Sequence, residues 1–486
     1  MIAILLNDNS FEQDIRELLM AFYPGETFTH KEEETSECRL LVRGSREGDS
    51  FSLSVEEQEG ERNLHFAQVR VDFSNRFEAK NEIKRTLYRL LRAETGKELP
   101  WGTLTGIRPT KIAMSRMEEG HDNDWIRSYM KETYYTSEEK IQLSLEVAER
   151  ERRLLQTIDY QNGYSLYIGI PFCPTTCLYC SFTSFPIGKW EGRTNLYLEA
   201  LFKEMEYVAG RMKGRPLDTI YFGGGTPTAL PAEDLEAILQ RLEALFPMEQ
   251  VQEFTVEAGR PDSITREKLM VLRNHGITRI SINPQTMKQE TLNLIGRRHT
   301  VEMVREQFRL ARELGFDNIN LDLIVGLPEE TIGDVRQTME EIKALAPDSV
   351  TVHSLAIKRA ARLNMFKERY GSLRMVNTQE MIDMTARYAA EMGLAPYYLY
   401  RQKNMAGNFE NVGYAAPGKE CIYNILIMEE KQTIMACGAG TTTKVLYPLE
   451  NRLERAENVK EVEQYIARVE EMTERKERLL QELLPQ

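Results

Sequence analysis

Hydrophobic and polar positions change rhythm along the chain. Up to about residue 95 the runs are short: Ile2 to Leu6 is apolar, Phe11 to Phe22 is spaced like an amphipathic helix, and Ala79 to Arg92 returns to helical periodicity. Between them Arg39 to Val42, Phe51 to Val55 and Phe66 to Val71 read as strands, which predicts a small α+β domain over residues 1–95. The Gly- and Pro-rich stretch from Gly96 to Lys111 reads as an ordered connector, followed by helical periodicity from Ile112 to about Asp159; residues 96–160 make this second segment. From Tyr164 short β-rich runs alternate with amphipathic helical stretches. The strands fall at Leu166 to Ile170, Thr219 to Phe222, Glu253 to Glu257, Arg279 to Ile282, Asn318 to Val325 and Ser349 to Ser354.

Strand followed by helix, repeated, means parallel pairing with right-handed crossovers. Six such units are fewer than the eight of a closed barrel. The predicted class is therefore α/β, a partial (β/α)6 barrel over residues 161–362 with its functional face at the strand C-terminal ends. After about Leu363 the alternation stops, and residues 363–486 are expected to form a C-terminal mixed α/β domain. Its charged tail, Asn458 to Leu484, has the spacing of a solvated helix face.

Composition narrows the function classes. The 486 residues are 42% hydrophobic and 28% charged, enough for a sizeable core, and the net charge of −13 has the wrong sign for generic binding to nucleic acid or anionic membranes. No segment approaches the run of apolar residues a membrane span needs, so a soluble, unprocessed, cytoplasmic protein is expected. Six cysteines are too few for a disulfide framework, and three of them stand together as Cys173, Cys177 and Cys180.

That triplet, in Tyr167-Ile-Gly-Ile-Pro-Phe-Cys173-Pro-Thr-Thr-Cys177-Leu-Tyr-Cys180-Ser-Phe182, follows the first barrel strand, and Pro171 and Pro174 argue for a loop although the spacing also suits one helical face. Close thiolates are costly unless a cation neutralises them. Structural zinc takes four ligands with paired spacing, and no second CxxC or nearby His pair supplies them. An inert core triplet would need no such loop. A [4Fe-4S] cluster on three cysteines leaves one iron without a protein ligand, open for chemistry.

CxxxCxxC at the end of strand one, with an aromatic before the last cysteine, resembles the radical S-adenosylmethionine enzymes. Tyr221-Phe-Gly-Gly-Gly-Thr-Pro-Thr228, Glu257, Gln285, Leu294-Ile-Gly-Arg297 and Asp322-Leu-Ile-Val-Gly-Leu-Pro328 follow in the order of the oxygen-independent coproporphyrinogen III oxidase group. The resemblance covers roughly residues 160–445. The N-terminal extension, Leu104-Thr-Gly-Ile-Arg-Pro-Thr-Lys111 and Tyr400-Arg-Gln-Lys-Asn-Met-Ala-Gly-Asn408 are similar to the coproporphyrinogen dehydrogenase subgroup.

The resemblance implies a [4Fe-4S] cluster on Cys173, Cys177 and Cys180, its free iron chelated by S-adenosylmethionine, which one electron cleaves to a 5′-deoxyadenosyl radical. It implies cofactor contacts at Gly224, Gly225 and Thr226 for the methionyl amino group, Glu257 at a strand end, Asp322 toward the ribose, and Gln285 with Arg297 on polar groups, Arg297 toward the methionyl carboxylate. Tyr167 and Tyr179 match an aromatic pair near cofactor and cluster, and Ala356 a small residue beside the adenosine. Read alone, the glycine triplet is a tight strand-to-helix turn, Glu257 a rim charge, Arg297 a surface ion-pair partner and the tyrosines ordinary core. No catalytic acid or base is assigned.

Two departures bear on the substrate. Oxidase members carry a fourth cysteine two residues after the last ligand, where this chain has Phe182, and a His where Gly169 stands. Phe182 is similar to the heme chaperone branch. The expected activity is oxidative decarboxylation of coproporphyrinogen III propionates to vinyls, giving protoporphyrinogen IX, with a low-potential donor such as flavodoxin or ferredoxin. The rival readings are a heme-binding chaperone and a radical enzyme on another tetrapyrrole. Substrate carboxylates would meet Lys358, Arg359 and Arg362, or Arg108 with Lys111, or Arg401 with Lys403. Cys38, Cys421 and Cys437 are dispersed and read as structural.

Overall fold

In the computed structural model, residues 1–58, 64–182, 184–356, 361–371, 373–402, 409–450 and 452–483 are described. The chain divides into two compact units, Met1–Glu149 with Tyr400–Glu410, and Arg150–Leu399 with Asn411–Gln486.

The first unit begins with β1 (Ile2–Leu6), α1 (Glu12–Phe22), β2 (Phe28–Thr29), β3 (Leu40–Glu47), β4 (Ser50–Glu57), β5 (Leu64–Arg70) and α2 (Arg76–Thr95). Its sheet has the order β2-β1-β3-β4-β5, with β1 parallel to β2 and β3 and the last three strands antiparallel. In β4 alternate residues Phe51, Leu53 and Val55 are buried while the serines between them are not, so a single face of that strand joins the core with Ile15, Leu19 and Leu87. Then come α3 (Thr110–Glu118), α4 (Asn123–Tyr134) and α5 (Glu138–Leu155). Within this unit Glu410 accepts hydrogen bonds from Trp101 Nε1 (2.7 Å) and Lys140 Nζ (2.7 Å), all three side chains buried.

The second unit carries β6 (Tyr164–Ile170), the short pair β7 (Phe172–Cys173) and β8 (Phe185–Pro186), α6 (Thr194–Arg211), β9 (Leu217–Gly224), α7 (Ala232–Leu245), β10 (Glu253–Gly259) and α8 (Arg266–Asn274). It continues through β11 (Arg279–Gln285), α9 (Gln289–Leu294), α10 (Val301–Glu313), β12 (Ile319–Val325), α11 (Ile332–Leu345) and β13 (Ser349–Ser354). All six expected strands are present and run parallel in the order β6-β9-β10-β11-β12-β13. They are apolar on the faces beneath the helices, as strands covered by crossover helices must be.

After β13 follow α12 (Arg362–Met365), α13 (Lys367–Tyr370), α14 (Gln379–Glu391), β14 (Ala395–Tyr400), β15 (Asn411–Ala415), α15 (Ile422–Glu429), β16 (Thr433–Cys437), β17 (Thr442–Tyr447), β18 (Arg452–Glu457), α16 (Val462–Ala467) and α17 (Val469–Leu483). These strands extend the parallel sheet at both edges: β15 pairs antiparallel with β13, and β16 parallel with β6, giving one open sheet of eleven strands.

The charged tail departs from expectation. It is not simply a solvated face, because α17 packs on α6 and places Lys476 against Glu204, both with no exposed surface. A charged residue needs such a partner to be buried there. No helix among the described residues is long and apolar enough to cross a membrane.

Candidate cofactor site

Pro171 ends the β6 ladder; Cys173 closes the two-residue β7, against the expectation of a loop, while Cys177 and Cys180 occupy the loop beyond it, as the bracketing prolines led us to expect. Backbone contacts fix this loop to the glycine triplet. Gly225 N–H donates to Ile170 C=O and Thr226 N–H to Phe172 C=O, each at 2.7 Å. A Cβ on Gly225 would lie 2.5 Å from the Phe172 carbonyl oxygen, and Gly224 has φ +106°, so side chains are excluded here by the close approach of two backbones. The far side of the loop is held by Leu178 N–H on Ile295 C=O (3.0 Å), Thr175 Oγ1 on Gly296 C=O (3.1 Å) and Leu363 N–H on Leu178 C=O (2.9 Å).

All three thiols are free of disulfides, and Cys173 Sγ lies 3.5 Å from Thr226 Oγ1. Burial pushes the Cys173 thiol up and the Cys180 thiol up to about 11. Thiolates at this place therefore need positive charge. Part of it comes from Arg260, which forks onto Asp262 (2.6 and 2.9 Å), donates to Thr175 C=O (3.0 Å) and has Nη1 3.9 Å from Cys177 Sγ. Among the described residues no three His, Cys, Asp or Glu side chains are grouped to hold a single ion. A cubane does not ask for that grouping, since each of three irons takes its own thiolate.

Arg297 is buried: it donates to Tyr179 Oη (3.0 Å) and to Asn283 C=O, and its Nε has no partner. Gln285, also buried and at φ +69°, has an unpartnered Oε1. Buried polar atoms left unpaired, Gln285 Oε1 at the end of β11 and Arg297 Nε just past α9, are what a polar ligand would satisfy, so the donor set and these orphans fit both cluster and S-adenosylmethionine.

The inner face of the sheet supplies the rest. Tyr167 and Tyr221 are register partners on β6 and β9, as are Gly169 and Gly223 two residues nearer the strand ends. Tyr221 donates its hydroxyl proton to Glu257 Oε1 (2.7 Å). Burial raises the Glu257 carboxyl to about 7, with Asp322 adding to the effect and the Tyr221 hydrogen bond opposing it. Asp322 accepts from Asn320 Nδ2 (2.7 Å), and His353 Nε2 lies 4.0 Å from its other oxygen. Burial lowers the His353 imidazole despite that neighbour. Ala356 is half-buried just past β13.

Sequence reasoning did not single out Arg260, Tyr221, Tyr423 or His353. Tyr221 lies two residues before Gly223 on β9, so period-two counting along that strand would have found it; Arg260, one residue past β10, and His353, three residues before Ala356, fall outside such a count. Tyr423 on α15 stacks on Tyr221 at 4.5 Å and gave no local signal.

Of the expected basic groups, Arg362 is exposed on α12, which Leu363 ties to the cysteine loop. Lys358, Arg359 and Lys403 lie outside the described residues. Arg401 is not offered to a substrate: it is buried in the first unit, donates to Leu104 C=O (2.6 Å) and stands over the Trp101 ring, and burial lowers it to about 10. Cys421 donates to Glu253 (3.3 Å) in the interior.

Residues 167–342 match the Radical SAM superfamily. The chain is 37% identical to the oxygen-independent coproporphyrinogen-III oxidase-like protein HemZ of Bacillus subtilis, over 98% of this chain and 97% of the relative. It is 32% identical to the heme chaperone HemW of the same organism, over 57% of this chain and 69% of the relative. Among solved structures, coproporphyrinogen III oxidase (HemN) from Escherichia coli shares the fold with a TM-score of 0.52 at 23% identity, over 66% of this chain and 72% of that one. With the cysteine loop, the glycine cradle and six parallel strands already in place, the full-length likeness decides membership: the chain belongs to the radical S-adenosylmethionine family, among the oxygen-independent coproporphyrinogen III oxidase-like proteins, and uses that family's [4Fe-4S] cluster and S-adenosylmethionine.

Proposed function

We propose that this radical S-adenosylmethionine enzyme acts in the cytoplasm on coproporphyrinogen III, converting two propionates to vinyls with loss of carbon dioxide and giving protoporphyrinogen IX in anaerobic heme formation. The observation that carries the reading is the hydrogen bond from Leu363 to Leu178, which sets the exposed Arg362 segment on the cysteine loop, where a substrate carboxylate would meet a cation beside the reacting centre. When bound and reduced by a low-potential donor such as flavodoxin or ferredoxin, the cluster and S-adenosylmethionine supply hydrogen-atom abstraction.

The chain's own residues bind and orient. Cys173, Cys177 and Cys180 hold iron, with Arg260 and Thr226 beside the sulfurs. Gly224, Gly225 and Thr226 receive the methionyl end, Arg297 its carboxylate. Glu257 and Asp322 face the ribose hydroxyls, Gln285 takes a further polar group, and Tyr167, Tyr179 and Ala356 pack against the cofactor and keep water out. Each substrate propionate loses a hydrogen atom, carbon dioxide and one electron, so the protein needs no acid or base at the reacting carbon.

A second reading, the heme chaperone, is favoured by Phe182, which is 71% exposed two residues after Cys180 in the place of the oxidases' fourth cysteine. Anaerobic turnover by the reconstituted protein, with chromatography of tetrapyrrole products, tests the proposal. Protoporphyrinogen IX is expected, and Arg362→Ala should raise the coproporphyrinogen concentration for half-maximal rate about tenfold, the size of one lost charge-assisted contact. Stoichiometric heme binding with no decarboxylation would overturn it in favour of the chaperone.

A further inference from the structure

Three tyrosines from distant parts of the chain meet inside the sheet. Tyr167 and Tyr221 lie nearly parallel at 6.0 Å and 10°, Tyr221 and Tyr423 at 4.5 Å and 24°, and Tyr167 and Tyr423 at 6.1 Å and 25°. Burial pushes all three hydroxyls far above their ordinary range, so each keeps its proton. The Tyr221 proton is engaged by Glu257. The Tyr167 hydroxyl instead faces the glycine cradle: a Cβ built on Gly223 would lie 3.0 Å from it, 2.9 Å from the Tyr221 ring and 3.2 Å from Glu257 Oε1.

This places a phenolic O–H beside the three-glycine run assigned to the cofactor. A primary carbon radical formed there has two kinds of nearby hydrogen to take. Glycine Cα–H bonds are weak because the amide nitrogen and carbonyl both stabilise the resulting radical, and attack on Gly223, Gly224 or Gly225 would damage the backbone that holds the loop. A phenolic O–H is also weaker than the primary C–H bond that would replace it. We propose that Tyr167 is the internal hydrogen-atom donor that quenches the 5′-deoxyadenosyl radical when no substrate is present.

The step balances as one hydrogen atom: the Tyr167 O–H bond breaks, a C–H bond forms at C5′ to give 5′-deoxyadenosine, and Tyr167 is left as a phenoxyl radical. One electron from the low-potential donor that reduces the cluster, with one proton, restores the phenol. The stacked rings of Tyr221 and Tyr423 shield the phenoxyl from solvent. The inference rests on cleavage of S-adenosylmethionine by this chain and is independent of which tetrapyrrole it takes.

The test uses the full-length reconstituted protein equilibrated in D2O, reduced anaerobically with S-adenosylmethionine and no tetrapyrrole. Mass spectrometry then reads deuterium per molecule of 5′-deoxyadenosine formed, a ratio that does not depend on how fast the variant works. Wild type and Tyr221→Phe should give mostly singly deuterated product, and Tyr167→Phe should lose that label. Freeze-quenched wild type should show a tyrosyl electron paramagnetic resonance signal that narrows in protein grown on ring-deuterated tyrosine and is missing in Tyr167→Phe. Label that persists in Tyr167→Phe, or that disappears in Tyr221→Phe alone, overturns the assignment of the donor. Absence of any 5′-deoxyadenosine from wild type overturns both this inference and the radical chemistry assigned to the chain.

Discussion

Replacing Lys476 by Met would test how far the cysteine loop depends on the C-terminal helix. Glu204 on α6 collects four donors: Gly438 N–H (2.7 Å), Asn458 Nδ2 (2.8 Å), the Tyr465 hydroxyl and Lys476 Nζ (2.5 Å). Seven residues earlier on the same helix face, Tyr197 accepts from Ala439 N–H (3.3 Å) and donates to Gly169 C=O (2.5 Å), at the exit of the cysteine strand. A Cβ on Gly438 would stand 2.4 Å from that same carbonyl oxygen, so the turn and the strand touch backbone to backbone.

Lys476→Met is close to isosteric and removes the countercharge together with the hydrogen bond from Lys476 Nζ to Asn458 Oδ1 (2.8 Å). It leaves a buried carboxylate with three donors, and breaking a buried pair in this way costs about 3 to 5 kcal/mol. Replacing both partners, as Glu204→Gln with Lys476→Met, removes the stranded charge and should recover at least about half of that. The assay is amide hydrogen exchange of the peptide containing Gly438 and Ala439. The single variant should speed exchange by roughly a hundredfold or more, at about 1.4 kcal/mol per decade. Iron retained after gel filtration should fall in parallel. An exchange increase below about fivefold in Lys476→Met, or a double variant no better than the single, would refute the account.

Cys173→Ala, Cys177→Ala and Cys180→Ala should each prevent uptake of a [4Fe-4S] cluster on anaerobic reconstitution, whereas Cys437→Ala should not; iron and sulfide analysis decides. Arg260→Ala removes the fork on Asp262 and the hold on Thr175, contacts worth about 1.5 to 3 kcal/mol each, and should hasten cluster loss to a chelator without changing the far-ultraviolet spectrum. Glu257→Gln and Asp322→Asn should each weaken S-adenosylmethionine binding by about one to two decades, read by equilibrium dialysis, while the cluster remains. Glu151 has no exposed surface, both its carboxyl oxygens lack partners, and burial with Glu429 nearby raises its pKa well above 4.5. The folded chain keeps that proton while the unfolded chain releases it, so stability is lost as pH rises above the ordinary carboxyl range. Glu151→Gln should therefore stabilise the protein at pH 8 and leave it nearly unchanged at pH 4, with a slope of about 1.4 kcal/mol per pH unit between the two pKa values, measured by urea unfolding.

The amino-acid sequence by itself determined the local features: six strands with crossover helices, the cysteine segment that follows β6, and the glycine run that closes β9. Periodicity, proline brackets and ligand spacing are properties of neighbouring residues, so they survive without knowledge of the fold. Arg297 shows where this reasoning stops. Its motif was legible, but its burial, its bond to Tyr179 and its unpartnered Nε depend on a loop that returns from more than a hundred positions away.

Only the tertiary structure decided that the strands after residue 363 extend the same sheet, that Lys476 in the charged tail closes on Glu204, that Arg401 is buried and donates to the Leu104 carbonyl, and that Tyr423 completes a stack with Tyr167 and Tyr221. Each depends on which distant surfaces exclude water together. A Lys, an Arg or a Tyr has the same local sequence signature whether its partner is solvent or a buried carboxylate, carbonyl or ring, and desolvation, which separates those cases, is set by the packed whole.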